Sequence, residues 1–128
     1  EIFKLLFEYE LIDNNIDKRI NDVINEENFK KDEEIDFLRS YVTEIIENQN
    51  ILIEKIREVL DGWTYERLGT IEKVLLKISF YEITIKDIGY EIAINEVLEI
   101  AKKYSYNDTK DFLNGILAKL VQNIKDEK

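Results

Sequence analysis

Residues 93–117, AINEVLEIAKKYSYNDTKDFLNGIL, read as two amphipathic helices joined by a polar corner. Apolar residues recur every three or four positions, which is the period of a helix with one buried face. On a helical wheel Ala93, Ile94, Val97, Leu98, Ile100, Ala101 and Tyr104 share one arc, while Asn95, Glu99, Lys102 and Lys103 face the other way. In the corner, SYNDT, either Asp108 or Thr109 suits a helix N-cap, because a short side-chain oxygen accepts from the free amides of the first turn. The last helix is expected from Lys110 to about Ile124, with a core arc of Leu113, Ile116, Leu117, Leu120 and Ile124.

Phe112 lies at the edge of that arc and the core does not need it. Asp108, Phe112, Gly115 and Lys119 are spaced by four, three and four, so they line up as one stripe. A flat aromatic beside an ammonium on a polar strip can stack an unpaired base and hold its phosphate. The same residues admit a plain structural reading. Phe112 then tucks into the core margin, Gly115 lets two helices approach closely, and Asp108 only caps. The spacing alone leaves both open.

The helical period extends through the rest of the chain. There is no proline, only four glycines, and no strand-type alternation, so the fold class is all-α. The first helix is IFKLLFEYEL, with apolar residues at Phe3, Leu6 and Phe7 and Leu11 one turn beyond. After DNN, the next helix presents Ile16, Ile20, Val23 and Ile24 on one face. A long helix is predicted from near Glu33, its seam formed by Leu38, Val42, Ile45, Gln49, Leu52, Ile56 and Val59. Gly62 is its natural stop, in the C′ position where a positive φ is least costly. The connector GWTYERLGT follows, and Thr70 is the expected cap of IEKVLLKISFYEI. That helix is apolar nearly all round, which puts it in the middle of the bundle. Its narrow polar strip holds Lys73 and Lys77 with Glu72 to one side. About seven helices in one domain, residues 1–128, is the structural expectation.

Composition narrows the function. The 128 residues are 45% hydrophobic, enough for the core of one domain. No run of about 18 apolar residues offers a membrane span. Cysteine and histidine are both absent. That removes thiolate sites, the commonest general base and the commonest metal ligand. Carboxylate chemistry remains, but no constellation of matched spacing appears, so the chain reads as a binding protein rather than an enzyme, with no metal and no cofactor. The net charge of −10 argues against nucleic acid taken alone. A nucleic-acid role then requires a local basic patch, a further basic segment or a basic partner.

Three segments in order, WTYERLGTIEKVLLKISFYEI, AINEVLEIAKKY and KDFLNGIL, resemble the NusB family of bacterial transcription antitermination factors. The residues that carry the resemblance are Trp63, Arg67, Glu72, Leu75, Leu76, Lys77, Tyr81 and Glu82, then Ile94, Asn95, Glu96, Ala101 and Lys102, then Phe112, Asn114, Gly115 and Leu117. LLFEYEL also looks like the family's first helix. The resemblance implies two small packed helical bundles without catalysis or metal. It implies a cytoplasmic protein that pairs with NusE, a ribosomal protein of the small subunit. The pair binds single-stranded boxA RNA, joins the antitermination complex on RNA polymerase and supports ribosomal RNA transcription. Some members form homodimers that occlude the RNA surface. A NusB-like module used only for protein interaction, without its own RNA specificity, is the alternative.

By the same resemblance the RNA surface takes in Phe7, Lys77, Asp108 and Phe112. Lys73 is added from its place beside Lys77, and Lys119 from its place on the Phe112 stripe. Glu66 and Glu72 fall where the family meets RNA or NusE and are assigned to the partner. Trp63 is expected to plug the core between the bundles rather than to serve as a stacking platform, and Asn95 to serve structure. Two departures stand out. An arginine-rich segment that opens the family's first helix is expected before Glu1. The proline that usually precedes the Ile-Asn-Glu helix is replaced near Gly89, which should loosen the turn without changing the fold.

Overall fold

In the computed structural model, residues 1–12, 15–104 and 107–127 are described. Among them are seven α-helices and no strand: α1 (Ile2–Ile12), α2 (Ile16–Glu26), α3 (Asp32–Glu47), α4 (Gln49–Val59), α5 (Thr70–Thr84), α6 (Tyr90–Tyr104) and α7 (Asn107–Glu127). A short 3-10 turn, Tyr65–Arg67, lies in the connector between α4 and α5. The chain divides into two compact units, Glu1–Gln49 and Asn50–Lys128.

In the first unit α1, α2 and α3 pack pairwise. Phe3, Leu5 and Leu6 are the buried residues of α1, joined by Ile20 and Val23 of α2 and by Leu38, Tyr41, Val42 and Ile45 of α3. Leu5 is buried beside Leu6, Phe7 is half-buried, and Leu11 is exposed. Asn15 caps α2, its side-chain oxygen accepting from the Lys18 amide at 3.2 Å. Arg19 of α2 donates to both oxygens of Glu8 on α1, at 2.8 and 3.1 Å, and to Asp22 at 3.0 Å. These carboxylates raise its already high pKa, hydrogen bonding to Glu8 first.

The predicted long helix is interrupted. Asn48 leaves helical geometry at φ −99° and ψ 8°, separating α3 from α4. Its side-chain amide donates to the Glu44 carbonyl at 2.8 Å, which also accepts the Asn48 backbone N–H at 3.0 Å. Every apolar residue of the predicted seam is nevertheless buried, from Leu38 to Val59. The break preserves the hydrophobic period, so the period conceals it.

In the second unit α5, α6 and α7 pack against one another. The middle of α5 is buried on every side, from Val74 to Ile83. Val74, Leu75, Leu76, Phe80 and Tyr81 are inaccessible to solvent or nearly so, as expected of a helix without a broad polar face. Ser79 is buried with them and donates to the Leu75 carbonyl at 2.9 Å. Ala93, Val97 and Ala101 bury the face of α6, and Leu113, Ile116, Leu117 and Leu120 that of α7.

Helix ends account for three further differences. The N-cap of α5 is Gly69, and Thr70 is already its first helical residue. Asp108 lies inside the first turn of α7 rather than ahead of it, where a carboxylate complements the helix dipole. Gly62 does adopt φ +73°, but it stands in the turn beyond Leu60, not directly after the last residue of α4.

Candidate nucleic-acid interface

The connector from Leu60 to Gly69 organises one face of the second unit, because three helices hold it. Asp61 accepts from the Nζ of Lys119 on α7. Two residues on, the indole of Trp63 meets the ring of Phe112 on α7 edge to face, with centroids 5.8 Å apart and planes at 69°. Gly62, at φ +73°, makes the turn between these two contacts. Such a backbone costs a side-chain-bearing residue about 1–2 kcal/mol.

The other end of the connector is held by cations. Arg57 of α4 places two nitrogens on the two Glu66 oxygens, at 2.5 and 3.2 Å. Its guanidinium also lies 5.4 Å from the centroid of the buried Tyr65 ring, and Lys73 of α5 lies 5.2 Å from it. Cations so placed are attracted by the ring's π face. The Arg57 hydrogen bonds hold the Glu66 carboxyl below its usual pKa, with Coulombic help from Arg57 and Lys73. The same pairing raises Arg57.

The candidate stripe on α7 is therefore real but occupied. Phe112 is half-buried, with one side against Trp63. Gly115 is exposed, and a Cβ there would meet nothing within 4 Å. It clears open space beside Phe112 and does not admit a closely packed helix. Lys119 is paired with Asp61, and Asp108 is exposed at the start of the helix.

The remaining predicted residues are placed differently. Lys73 is half-buried over Tyr65. Lys77 is only 6% exposed. The polar strip of α5 is thus not a pair of surface cations, because Lys77 lies within the fold, and in this conformation it cannot meet a phosphate in solvent. Glu72 folds toward the start of its own helix, where its Oε2 would lie 2.5 Å from a Cβ added at Gly69. Negative charge at a helix N-terminus is favourable. Phe7 belongs to the first unit, half-buried, with its ring 5.8 Å from that of Phe3. Asn95 and Asn114 are exposed.

Sequence reasoning missed Asp61 and expected Trp63 in a core. Trp63 is 55% exposed and plugs no core. The signal was its setting: DGWTYER surrounds the indole with polar and charged residues and offers no helical apolar partner.

The face thus combines two adjacent aromatic rings, open space and an ammonium held by a carboxylate. It offers stacking surfaces and a positive charge held in an ion pair. Among the described residues no group of three or more His, Cys, Asp or Glu side chains is placed to hold a metal ion, and no helix is long and apolar enough to cross a membrane.

Comparison with known proteins agrees over nearly the whole chain. A transcription antitermination protein NusB of Ruminiclostridium cellulolyticum is 34% identical over 118 residues, covering 91% of this chain and 81% of the relative. The T. maritima NusB structure superposes with a TM-score of 0.81 at 28% identity, covering 94% of this chain and 85% of the other. A structure of antitermination factors NusB and NusE in complex with double-stranded RNA contains a chain of the same fold, with a TM-score of 0.83 at 20% identity, covering 95% and 91%. The sequence model of the NusB family spans residues 1–122, and with that match and these relatives the chain belongs to the NusB family.

Proposed function

We propose that this protein is a cytoplasmic transcription antitermination factor that binds boxA RNA together with NusE. In this reading it joins the antitermination complex on RNA polymerase and supports ribosomal RNA transcription. The observation that carries the proposal is family membership across residues 1–122, with relatives named as transcription antitermination proteins. The geometry adds a mechanism. Phe112 supplies a stacking face on α7, Gly115 leaves room beside it, and Lys119 lies about two turns along the same stripe. Phe7, Lys73 and Asp108 complete the proposed RNA-facing set, and Lys77 joins it only through a change of conformation.

Charge determines how the two partners divide the work. The chain carries −10, and Lys119 on the stripe and Arg57 at the connector already face carboxylates. RNA therefore binds weakly to this chain alone and more tightly when a basic partner adds its field. Glu66 and Glu72 are the proposed partner-facing acids. Glu66 remains anionic well into mildly acidic solution because Arg57 holds its proton affinity down.

The same charge pattern favours a second reading, a NusB-like interaction module without its own RNA specificity. Gel-shift titrations of boxA and scrambled RNA, with this chain, NusE and the pair, separate the two. A boxA-selective shift that sharpens with the pair supports the first. Formation of the pair without any preference among RNAs supports the second.

A further inference from the structure

Trp63 is a large apolar side chain with more than half its surface in water, although its ring meets that of Phe112. Asp61 and Trp63, on either side of Gly62, engage Lys119 and Phe112 of α7. The indole is thereby fixed next to the ring proposed to stack a base. In the edge-to-face arrangement the two ring planes are steeply inclined, so they cannot both stack on one base. They offer two separate stacking surfaces at neighbouring positions.

We infer that Trp63 is a second base-stacking residue, taking the unpaired nucleotide next to the one on Phe112. This rests on the RNA-binding reading above and extends its site from α7 onto the connector. Stacking is sequence-tolerant, because every base has a π face. The specificity it confers is therefore for single-stranded over fully paired RNA, since a base in a duplex cannot turn onto the indole. The neighbouring Lys119 supplies the charge for the intervening phosphate when RNA displaces Asp61 from it.

The chain has one tryptophan, so 5-fluorotryptophan incorporation reports on Trp63 alone, even in a complex with unlabelled NusE. The expected result is a 19F shift, with loss of the solvent isotope shift, when single-stranded boxA RNA is added to the pair. Trp63→Ala should weaken that RNA about tenfold, with only the few degrees' loss of melting temperature that the lost contact with Phe112 entails and unchanged NusE binding, and Trp63→Phe should recover most of the RNA affinity. If Trp63 merely braces Phe112, Trp63→Ala still weakens RNA, but the indole stays solvent-exposed in the complex, and the inference fails. It also fails if Trp63→Ala binds RNA as the unsubstituted chain does while Phe112→Ala does not, which leaves the RNA-binding reading intact. Absence of RNA binding by the unsubstituted pair overturns both.

Discussion

Asp61 and Lys119 are 58 residues apart in sequence, yet they form an ion pair that ties the connector to the last helix. The carboxylate is largely exposed and the ammonium partly so. A pair in such a setting contributes little to stability, but it neutralises the cation best placed to meet a phosphate on the Phe112 stripe. Asp61→Asn should therefore leave the melting temperature nearly unchanged and strengthen RNA binding. Lys119→Gln, which removes that phosphate contact, should make the logarithmic salt dependence shallower by about 0.7, the increment for one contact on a single strand. An unchanged salt slope would show that Lys119 does not reach RNA.

Phe112 and Leu117 occupy one helix and predict opposite phenotypes. Leu117 is fully buried, whereas Phe112 is half-buried against Trp63. Leu117→Ala should cost about 2–5 kcal/mol of stability. Phe112→Ala should cost less, of the order of the 0.5–1.5 kcal/mol of an aromatic pair plus its partial burial, and should weaken RNA by about 1–3 kcal/mol. Thermal melts and RNA titrations of both variants would decide. A large loss of melting temperature for Phe112→Ala with unaltered RNA affinity would assign the ring to the core.

Two glycines separate backbone need from open space. Neither Gly62 nor Gly115 has an atom within 4 Å of an added Cβ. Gly115 is inside α7, so Gly115→Ala should stabilise the protein by about 0.5–1 kcal/mol. Gly62 holds φ +73°, so Gly62→Ala should destabilise by about 1–2 kcal/mol. Denaturant titration checks both signs. If Gly115→Ala gains stability and loses RNA affinity, the space beside Phe112 belongs to the ligand.

Arg57 and Glu66 set a pH dependence. Hydrogen bonding to Arg57 lowers the Glu66 pKa from its ordinary 4.5. A carboxyl depressed in the folded state adds stability above its unfolded pKa, and that stability is lost as pH falls through the folded value. The window is therefore acidic, at and below about pH 4.5. Carboxyl-detected NMR should show Glu66 titrating below ordinary glutamates, and Arg57→Gln should move it back toward them. Glu99, held down by Lys102 at 2.9 Å, should remain low in that variant.

Helix faces were legible because burial repeats. Leu113, Ile116, Leu117 and Leu120 are buried where their spacing put them, and the apolar residues of the seam from Leu38 to Val59 are all buried, with Gln49 half-buried among them. The break at Asn48 was not legible, since it leaves the spacing of apolar residues intact. Lys77 was misplaced because a lysine among apolar neighbours on a wheel reads as a surface strip, whereas α5 is enclosed all round. Trp63 was misplaced for the converse reason: a lone tryptophan suggests burial, but the connector supplies no apolar surroundings. The Phe112 stripe was visible as a spacing, but its occupation by Asp61 and Trp63 joins residues about fifty positions apart, which no local pattern reveals.

The most direct test is fluorescence anisotropy of a labelled boxA RNA titrated with this chain, with NusE and with the pair, beside a scrambled RNA. The account predicts weak binding to the chain alone, tighter binding to the pair, and a preference for boxA that Phe112→Ala diminishes. Equal affinity of the pair for boxA and scrambled RNA, unchanged by Phe112→Ala, would contradict it.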